Sequence, residues 1–287
     1  MAMHVISRFA PSPTGRLHLG HAFSALLAHD LARTLGGRFL LRIEDIDPGR
    51  CRPEHVTGII EDLRWLGLDW DEEPVFQSQR LPLYAQALER LKARGFAYPC
   101  FCTRARIAAE ITASIAAPHG PDGPLYPGIC RTLGEEERAR RIAAGESHAW
   151  RLDSANAVAL TGPLAWHDAA AGPVAADPAA HGDVVLARKD APTSYHLAVT
   201  VDDAAQGVTD VVRGQDLFAA THVHRLLQAL LGLPVPRYHH HALLLDDKGE
   251  RLAKRAGSPT LASMRAEGVD PAGLVERLRA QRPLAFP

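Results

Sequence analysis

Three groups of residues in this chain are of types and spacings that do chemistry. The first is His18-Leu19-Gly20-His21, two imidazoles on either side of a glycine. Imidazoles at such a place can donate to phosphate oxygens as charge builds on them, and a glycine lets a flat nucleotide approach the backbone. The second is Lys254 within Arg251-Leu252-Ala253-Lys254-Arg255, where the only other lysines of the chain are Lys92, Lys189 and Lys248. A compact ammonium kept among arginines suits contact with phosphate oxygens. The third is Cys100-Phe101-Cys102 with Cys130. Thiols one residue apart are poorly placed to bridge each other, so the three read as thiolate ligands of a tetrahedral metal, with one position left open for which His119 is the first chemical candidate. Each group also has a plain explanation: surface histidines at a helix start, a solvated basic turn, and buried thiols without metal.

These residues need elements to position them. Residues 4–9 and 38–43 read as apolar strands. Between them the two prolines and Gly15 of Pro11-Ser12-Pro13-Thr14-Gly15 enforce a turn. A helix follows with Leu19, Ala22, Phe23, Leu26 and Leu27 on one stripe, so the histidines fall at a helix N-terminus, where unpaired N–H groups favour an anion. The strand at 38–43 ends in Glu44-Asp45, at the sheet edge where open α/β folds bind ligands. Two amphipathic helices follow, with Val56, Ile59, Ile60 and Leu63 on the first and Leu81, Tyr84, Leu88 and Leu91 on the second; Gly67 and Gly95 stand where helices end. From about residue 99 to 183 the composition shifts to Ala, Pro and Gly, with strand-like pieces at 148–153 and 156–160 and a loop at 169–180, and we read an insertion. The α/β rhythm resumes with strands at 183–188 and 208–213, a helix carrying Val223, Leu226, Leu227 and Leu230, and a strand at 243–245. His239-His240-His241 is expected to be solvent-facing at a strand start, and Cys51 receives no role.

The 287 residues carry 32 Lys and Arg against 33 Asp and Glu, a formal net charge of −1, and are 46% apolar and 23% charged. That composition excludes disorder and supercharged tails and predicts a chain able to build a large core without disulfides. A nucleic-acid partner would need a local basic face. There is no apolar run of about 18 residues and no signal-peptide start, so a soluble, cytoplasmic protein without membrane contact is expected. Neither GxxxxGK[ST] nor GxGxxG occurs.

In this order, RFAPSPTGRLHLGH (8–21), LLRIEDID (40–47), VVRGQDL (211–217) and GERLAKR (249–255) resemble the catalytic core of the class I glutamyl-tRNA synthetases. Residues 18–21 and 251–255 match the two signature motifs of that family, and the resemblance runs over almost the whole chain. It implies an α/β fold with a Rossmann-type parallel sheet, a zinc-bearing insertion and a short C-terminal helical segment. The expected division is 1–98 and 183–245 for the two halves of the catalytic domain, 99–182 for the tRNA-contacting insertion, and 246–287 for the second signature and terminal helices. Only 32 residues follow Arg255. No anticodon-binding domain is therefore expected, and the similarity is to a short paralogous family, the glutamyl-Q tRNA(Asp) synthetases. That family activates L-glutamate with Mg-ATP and esterifies it to the queuosine base at the wobble position of tRNA(Asp).

Carried over residue by residue, the resemblance implies catalytic His18, His21 and Lys254, with Gly20 joining them around ATP. Glutamate has one ammonium and two carboxylates, so its pocket needs an acid and guanidinium groups. The matching positions are Arg8, Ser12, Glu44, Tyr195 and Arg213. The pattern CxC…Yx3C implies structural Zn(2+) on Cys100, Cys102, Tyr126 and Cys130. A monomer is implied. Arg131, Arg138, Arg140, Arg141 and Arg151, with Arg277, Arg279 and Arg282, are candidates to face tRNA phosphates, or else form solvated helix faces. The chain departs from the family pattern at Arg251 and Ala253, which replace the usual Lys and Ser, and at Gln215, which replaces a common Glu. Two other readings stay open: a truncated glutamyl-tRNA synthetase that charges a tRNA 3′ end, and a non-catalytic tRNA-binding paralogue.

Overall fold

The computed structural model describes residues 4–107, 119–120, 123–244 and 259–281. β1 (Ile6–Phe9), β2 (Arg38–Ile43) and β3 (Val75–Phe76) form a parallel sheet in the order β1-β2-β3. Between β1 and β2 runs α1 (Leu19–Thr34), capped at its start by the His18 side chain, which accepts from the Gly20 N–H. Gly37 then lets β2 start beside β1, because a Cβ there would lie 2.1 Å from the Val5 carbonyl oxygen. α2 (Pro53–Trp65) and α3 (Leu81–Ala93) follow, and Gly67 and Gly95 take positive φ just beyond them, as the sequence predicts.

β4 (Ala97–Cys100) opens a different architecture. It pairs antiparallel with β7 (Ala149–Leu152), and β7 pairs antiparallel with β10 (Val185–Ala187). Around this sheet lie the short ladder of β5 (His119–Gly120) with β6 (Gly123–Pro124), then α4 (Glu135–Ala143) and α5 (Ser154–Thr161). β8 (Ala165–Asp168) and β9 (Gly172–Ala175) form a hairpin. α6 (Tyr195–Ala205), β11 (Asp210–Gly214), α7 (Ala220–Leu231) and β12 (Arg237–His241) complete the second parallel part, in which β12 lies between β11 and β8. The Thr209 N–H donates to the Ile6 carbonyl, joining β11 to β1 and giving the spatial order β3-β2-β1-β11-β12. The order reverses between β1 and β11, so their carboxyl ends flank the crevice where such sheets bind ligands. α8 (Leu261–Ala266) and α9 (Pro271–Ala280) pack their Leu261, Leu274 and Leu278 into the core formed by α1, α2, β1 and β2. A second core joins α3, α6 and α7 to Leu152 and Leu186.

Several expectations need correction. Residues 156–160 are helical, within α5, because the Asp153 side chain caps the Asn156 N–H and Ala157 packs inward. The strand at 183–188 does not resume the parallel sheet: β10 pairs with β7, with a Leu152 N–H to Val184 carbonyl bond beside it. Residues 169–180 hold β9 rather than a plain loop. Residues 243–244 are not a strand; the ladder with β11 is made by β12 instead. His239, His240 and His241 are therefore interior rather than solvent-facing, each at most 6% exposed. They are tolerated there because polar groups meet them: Asp210 for His239, Asp168 for His240, and Ser24 for His241. Lys254, the 251–255 signature and Arg282 lie outside the described residues.

Candidate active site

A cavity of about 680 Å³ opens at the crevice between β1 and β11. Arg8, Ser12, His18, Gly20, His21, Glu44, Tyr195 and Arg213 all line it, so it gathers the described residues that sequence reasoning named for glutamate and ATP.

The HxGH turn is ordered by its own backbone. The His18 N–H donates to His21 Nδ1 (3.2 Å) and the Gly20 N–H donates to His18 Nδ1 (3.1 Å). Both Nδ1 atoms are acceptors, so each neutral ring carries its proton on Nε2 and donates from there. The rings lie 3.8 Å apart, centroid to centroid. His18 also forms an antiparallel bridge with Thr260, and the Leu261 N–H donates to the Leu17 carbonyl (2.9 Å). The chain that follows the second signature is thus attached to the first.

Deeper in, charge is balanced inside the core. Arg8 donates from Nε to Asp203 (3.0 Å), and Arg42, fully buried, donates to Asp203 (2.8 Å) and Glu44 (3.3 Å). Burial favours the neutral form of Asp203, but the two guanidiniums hold its carboxyl below the usual range. Burial pushes Glu44 up, against Arg42 and Arg8. Asp202, on the same helix as Asp203, accepts from Gln77, Arg80 and Tyr84. Sequence reasoning missed Arg42, Asp202 and Asp203. Their signal was a charge inside an apolar run, FLLRI and AVTVDDAA.

The cysteines meet as expected. The Sγ atoms of Cys100, Cys102 and Cys130 all lie within 4.8 Å of one another. The Tyr126 hydroxyl is 3.3 Å from Cys100 Sγ and 3.7 Å from Cys102 Sγ, and accepts from the Cys130 N–H (2.9 Å). Ligands on a tetrahedral zinc with ~2.3 Å bonds to sulfur sit roughly 3.8 Å apart, so the four positions fit one ion. Burial pushes the Cys102 thiol up to about 11, aided by its neighbours Cys130 and Cys100, whereas burial at Cys100 is outweighed by the Tyr126 hydroxyl, the Cys102 N–H and Arg151, which draw its thiol down. The Arg151 guanidinium lies over the Tyr126 ring at 3.9 Å. These residues can hold a metal ion.

A second cavity of about 1010 Å³ shares Ser12, Thr14, Glu44 and Tyr195 with the first and reaches Cys102 and Tyr126. The insertion's arginines are largely engaged: Arg131 with Asp183 (2.9 Å), Arg140 with Glu137, Arg141 with Glu146, and Arg151 with the Asp183 carbonyl. Arg279 pairs with Asp30 (2.7 Å), and Arg277 is exposed. No helix among the described residues is long and apolar enough to cross a membrane.

The family of class I tRNA synthetases (E and Q), catalytic domain, matches residues 4–281. The chain is 52% identical to the glutamyl-Q tRNA(Asp) synthetase of Rhodobacter capsulatus, over 94% of this chain and 98% of that protein, and 49% identical to that of Symbiobacterium thermophilum, over 94% and 84%. It belongs to the class I tRNA synthetase family and, within it, to the glutamyl-Q tRNA(Asp) synthetases. The crystal structure of a glutamate tRNA ligase from Elizabethkingia meningosepticum in complex with its amino acid superposes with a TM-score of 0.79 at 28% identity. This chain spans three fifths of that ligase, 60% of it being covered by 96% of the present chain.

Proposed function

We propose that this chain activates L-glutamate with Mg-ATP as glutamyl-adenylate and transfers the glutamyl group to queuosine at the wobble position of tRNA(Asp). The observation that carries the first step is the single cavity in which the HxGH turn, Glu44 and Arg213 converge. The reading of the acceptor is supported by the name of a relative 52% identical over 98% of its own length. Arg8, Ser12, Tyr195 and Arg213 face the carboxylates, and Glu44 the ammonium. The α-carboxylate of glutamate attacks the α-phosphorus in line, forming the acyl–phosphate bond and releasing pyrophosphate. No side-chain nucleophile is needed. His18, His21 and Lys254, with the N–H groups at the start of α1, stabilise charge on the phosphate oxygens, and Gly20 lets the nucleotide approach. A hydroxyl of the queuosine cyclopentenediol, entering through the 1010 Å³ cavity, then takes the glutamyl group and AMP leaves. The enzyme acts in the cytoplasm.

The test is glutamate transfer to tRNA(Asp) with and without queuosine, and with the 3′-terminal adenosine removed. We expect labelling to vanish when position 34 is unmodified guanine and to survive loss of the terminal adenosine. The reverse pattern would favour charging of a tRNA 3′ end.

Cys100, Cys102, Cys130 and Tyr126 would hold the zinc, and an ion there would tie β4 to the turn at 126–130. Metal analysis is expected to find about one zinc per chain, and none in Cys130→Ser. Structural zinc can be worth ~10 kcal/mol of local folding free energy. The variant's insertion should therefore become protease-sensitive, and transfer to tRNA should suffer more than glutamate activation. A metal-free wild type prepared without chelators would refute the site.

A further inference from the structure

Arg213 is 5% exposed and lines the 680 Å³ cavity, yet among the described residues it makes no ion pair. Arg8 and Arg42 each have Asp203; the four hydrogen-bond partners of Arg213 are neutral, as is the Tyr238 ring 5.2 Å from its guanidinium. Its Nε donates to His240 Nε2 (3.1 Å), one terminal nitrogen to Thr221 Oγ1 (2.5 Å), and the other to His224 Nδ1 (3.3 Å) and the Tyr195 hydroxyl (3.4 Å).

The tautomers follow from the donors. Asp168 Oδ1 accepts from the Ala170 and Ala171 N–H groups, and Oδ2 from the N–H and Nδ1 of His240 (3.2 and 2.8 Å). Burial opposes ionisation of Asp168, but these donors hold its carboxyl below the usual range. His240 therefore carries its proton on Nδ1 and offers Nε2 to Arg213 as an acceptor. His224 must offer Nδ1 to Arg213, so its proton sits on Nε2, 3.2 Å from His196 Nδ1. Burial, followed by Arg213 itself, pushes His240 down to about 4 and His224 well below its ordinary value, so both rings are neutral at neutral pH.

We propose that His224 and His240 are positioning residues that fix the Arg213 guanidinium through neutral acceptors, with His196 and Asp168 behind them. Its charge is thereby left for the carboxylate of the substrate side chain, setting the preference for glutamate over its amide, glutamine. A buried cation with four of its five N–H groups on neutral acceptors and its charge unmatched favours an anion over an isosteric amide. A carboxylate in direct contact would satisfy the same N–H groups and remove that preference. The proposal rests on the reading of the cavity as the glutamate site.

His224→Asn and His224→Asp are the informative pair, because both place an oxygen acceptor near the Nδ1 position and only the second is charged. In glutamate-dependent pyrophosphate exchange, Asn is expected to raise the glutamate KM about fivefold through loss of the His196 contact. Asp is expected to raise it on the order of 10²-fold, with kcat within about threefold and the glutamate-to-glutamine ratio of kcat/KM falling, because it neutralises the buried guanidinium. KM values within twofold of each other would overturn the proposal, since a packing role does not distinguish the two. Nitrogen-15 spectra of the wild type keep the test open if a variant fails to fold. His240 is expected to be protonated on Nδ1 and His224 on Nε2 at pH 7, and the opposite tautomer or a doubly protonated ring at either position overturns the proposal. If the wild type activates no glutamate while both tautomers are as expected, the reading of the cavity fails and the arrangement of Arg213 stands.

Discussion

Lys254→Ala is expected to slow glutamyl-adenylate formation on the order of 10²-fold or more while the dissociation constant for glutamate changes little. An ammonium acting on a phosphate that gains charge in the transition state contributes to rate, and hardly at all to binding of an amino acid that lies elsewhere. Thr260, six positions on in sequence, is bridged to His18, so the chain after the second signature is held at the first. Lys254→Arg is expected to recover only part of the rate, since a planar fork replaces a point charge. Pyrophosphate exchange at the wild-type rate in the alanine variant would remove Lys254 from the mechanism.

Asp203→Ala is expected to destabilise the fold by about 3–5 kcal/mol, the usual consequence of removing one partner of a buried ion pair. Here a single carboxylate serves both Arg8 and Arg42, which are 5% and 0% exposed, so Arg8 loses its ion pair while Arg42 keeps only the longer contacts to Glu44 (3.3 Å) and Asp202 (3.9 Å). Denaturant midpoints measure the loss; a shift below about 1 kcal/mol would mean that the network is far better solvated than its burial implies. Asp203 has a folded-state pKa below its unfolded value, so its contribution is present at neutral pH and disappears as the pH falls through the acid range. The alanine variant should accordingly show a shallower acid limb in its stability profile. Because Arg8 lines the cavity, glutamate KM should rise as well.

The parts of this molecule legible in its sequence are those where one residue type has one use. Two prolines and a glycine before HxGH allow only a turn, and α1 starts where the His18 cap stands. The strands at 4–9 and 38–43, the stripe on α1 and the helix-ending glycines were readable from period and punctuation. Other parts were hidden because their meaning depends on what lies across the fold. Residues 156–160 are apolar without a period, and only the Asp153 cap decides for helix. A triplet of histidines reads as polar surface until Asp168, Asp210 and Ser24 are brought opposite it. Arg42 and Asp203 lie 161 positions apart, and no local pattern reports that they will meet.

That separation bears on the order in which the protein acquires its parts during synthesis. Arg8 emerges from the ribosome almost at once, but its partner Asp203 lies 195 positions later and β11, which carries Arg213, later still. For most of translation the first sheet has an open edge at β1 and an unmatched guanidinium beside it. The β4–β7 pair and the cysteine cluster draw on much nearer chain, with Cys130 no more than 30 positions from its mates, and so have the means to assemble early. The 680 Å³ cavity thus closes only late, once β11 docks along β1. A nascent chain arrested before residue 208 would carry the cysteine cluster and α1 to α6 while lacking Arg213 and the β11 wall of the 680 Å³ cavity.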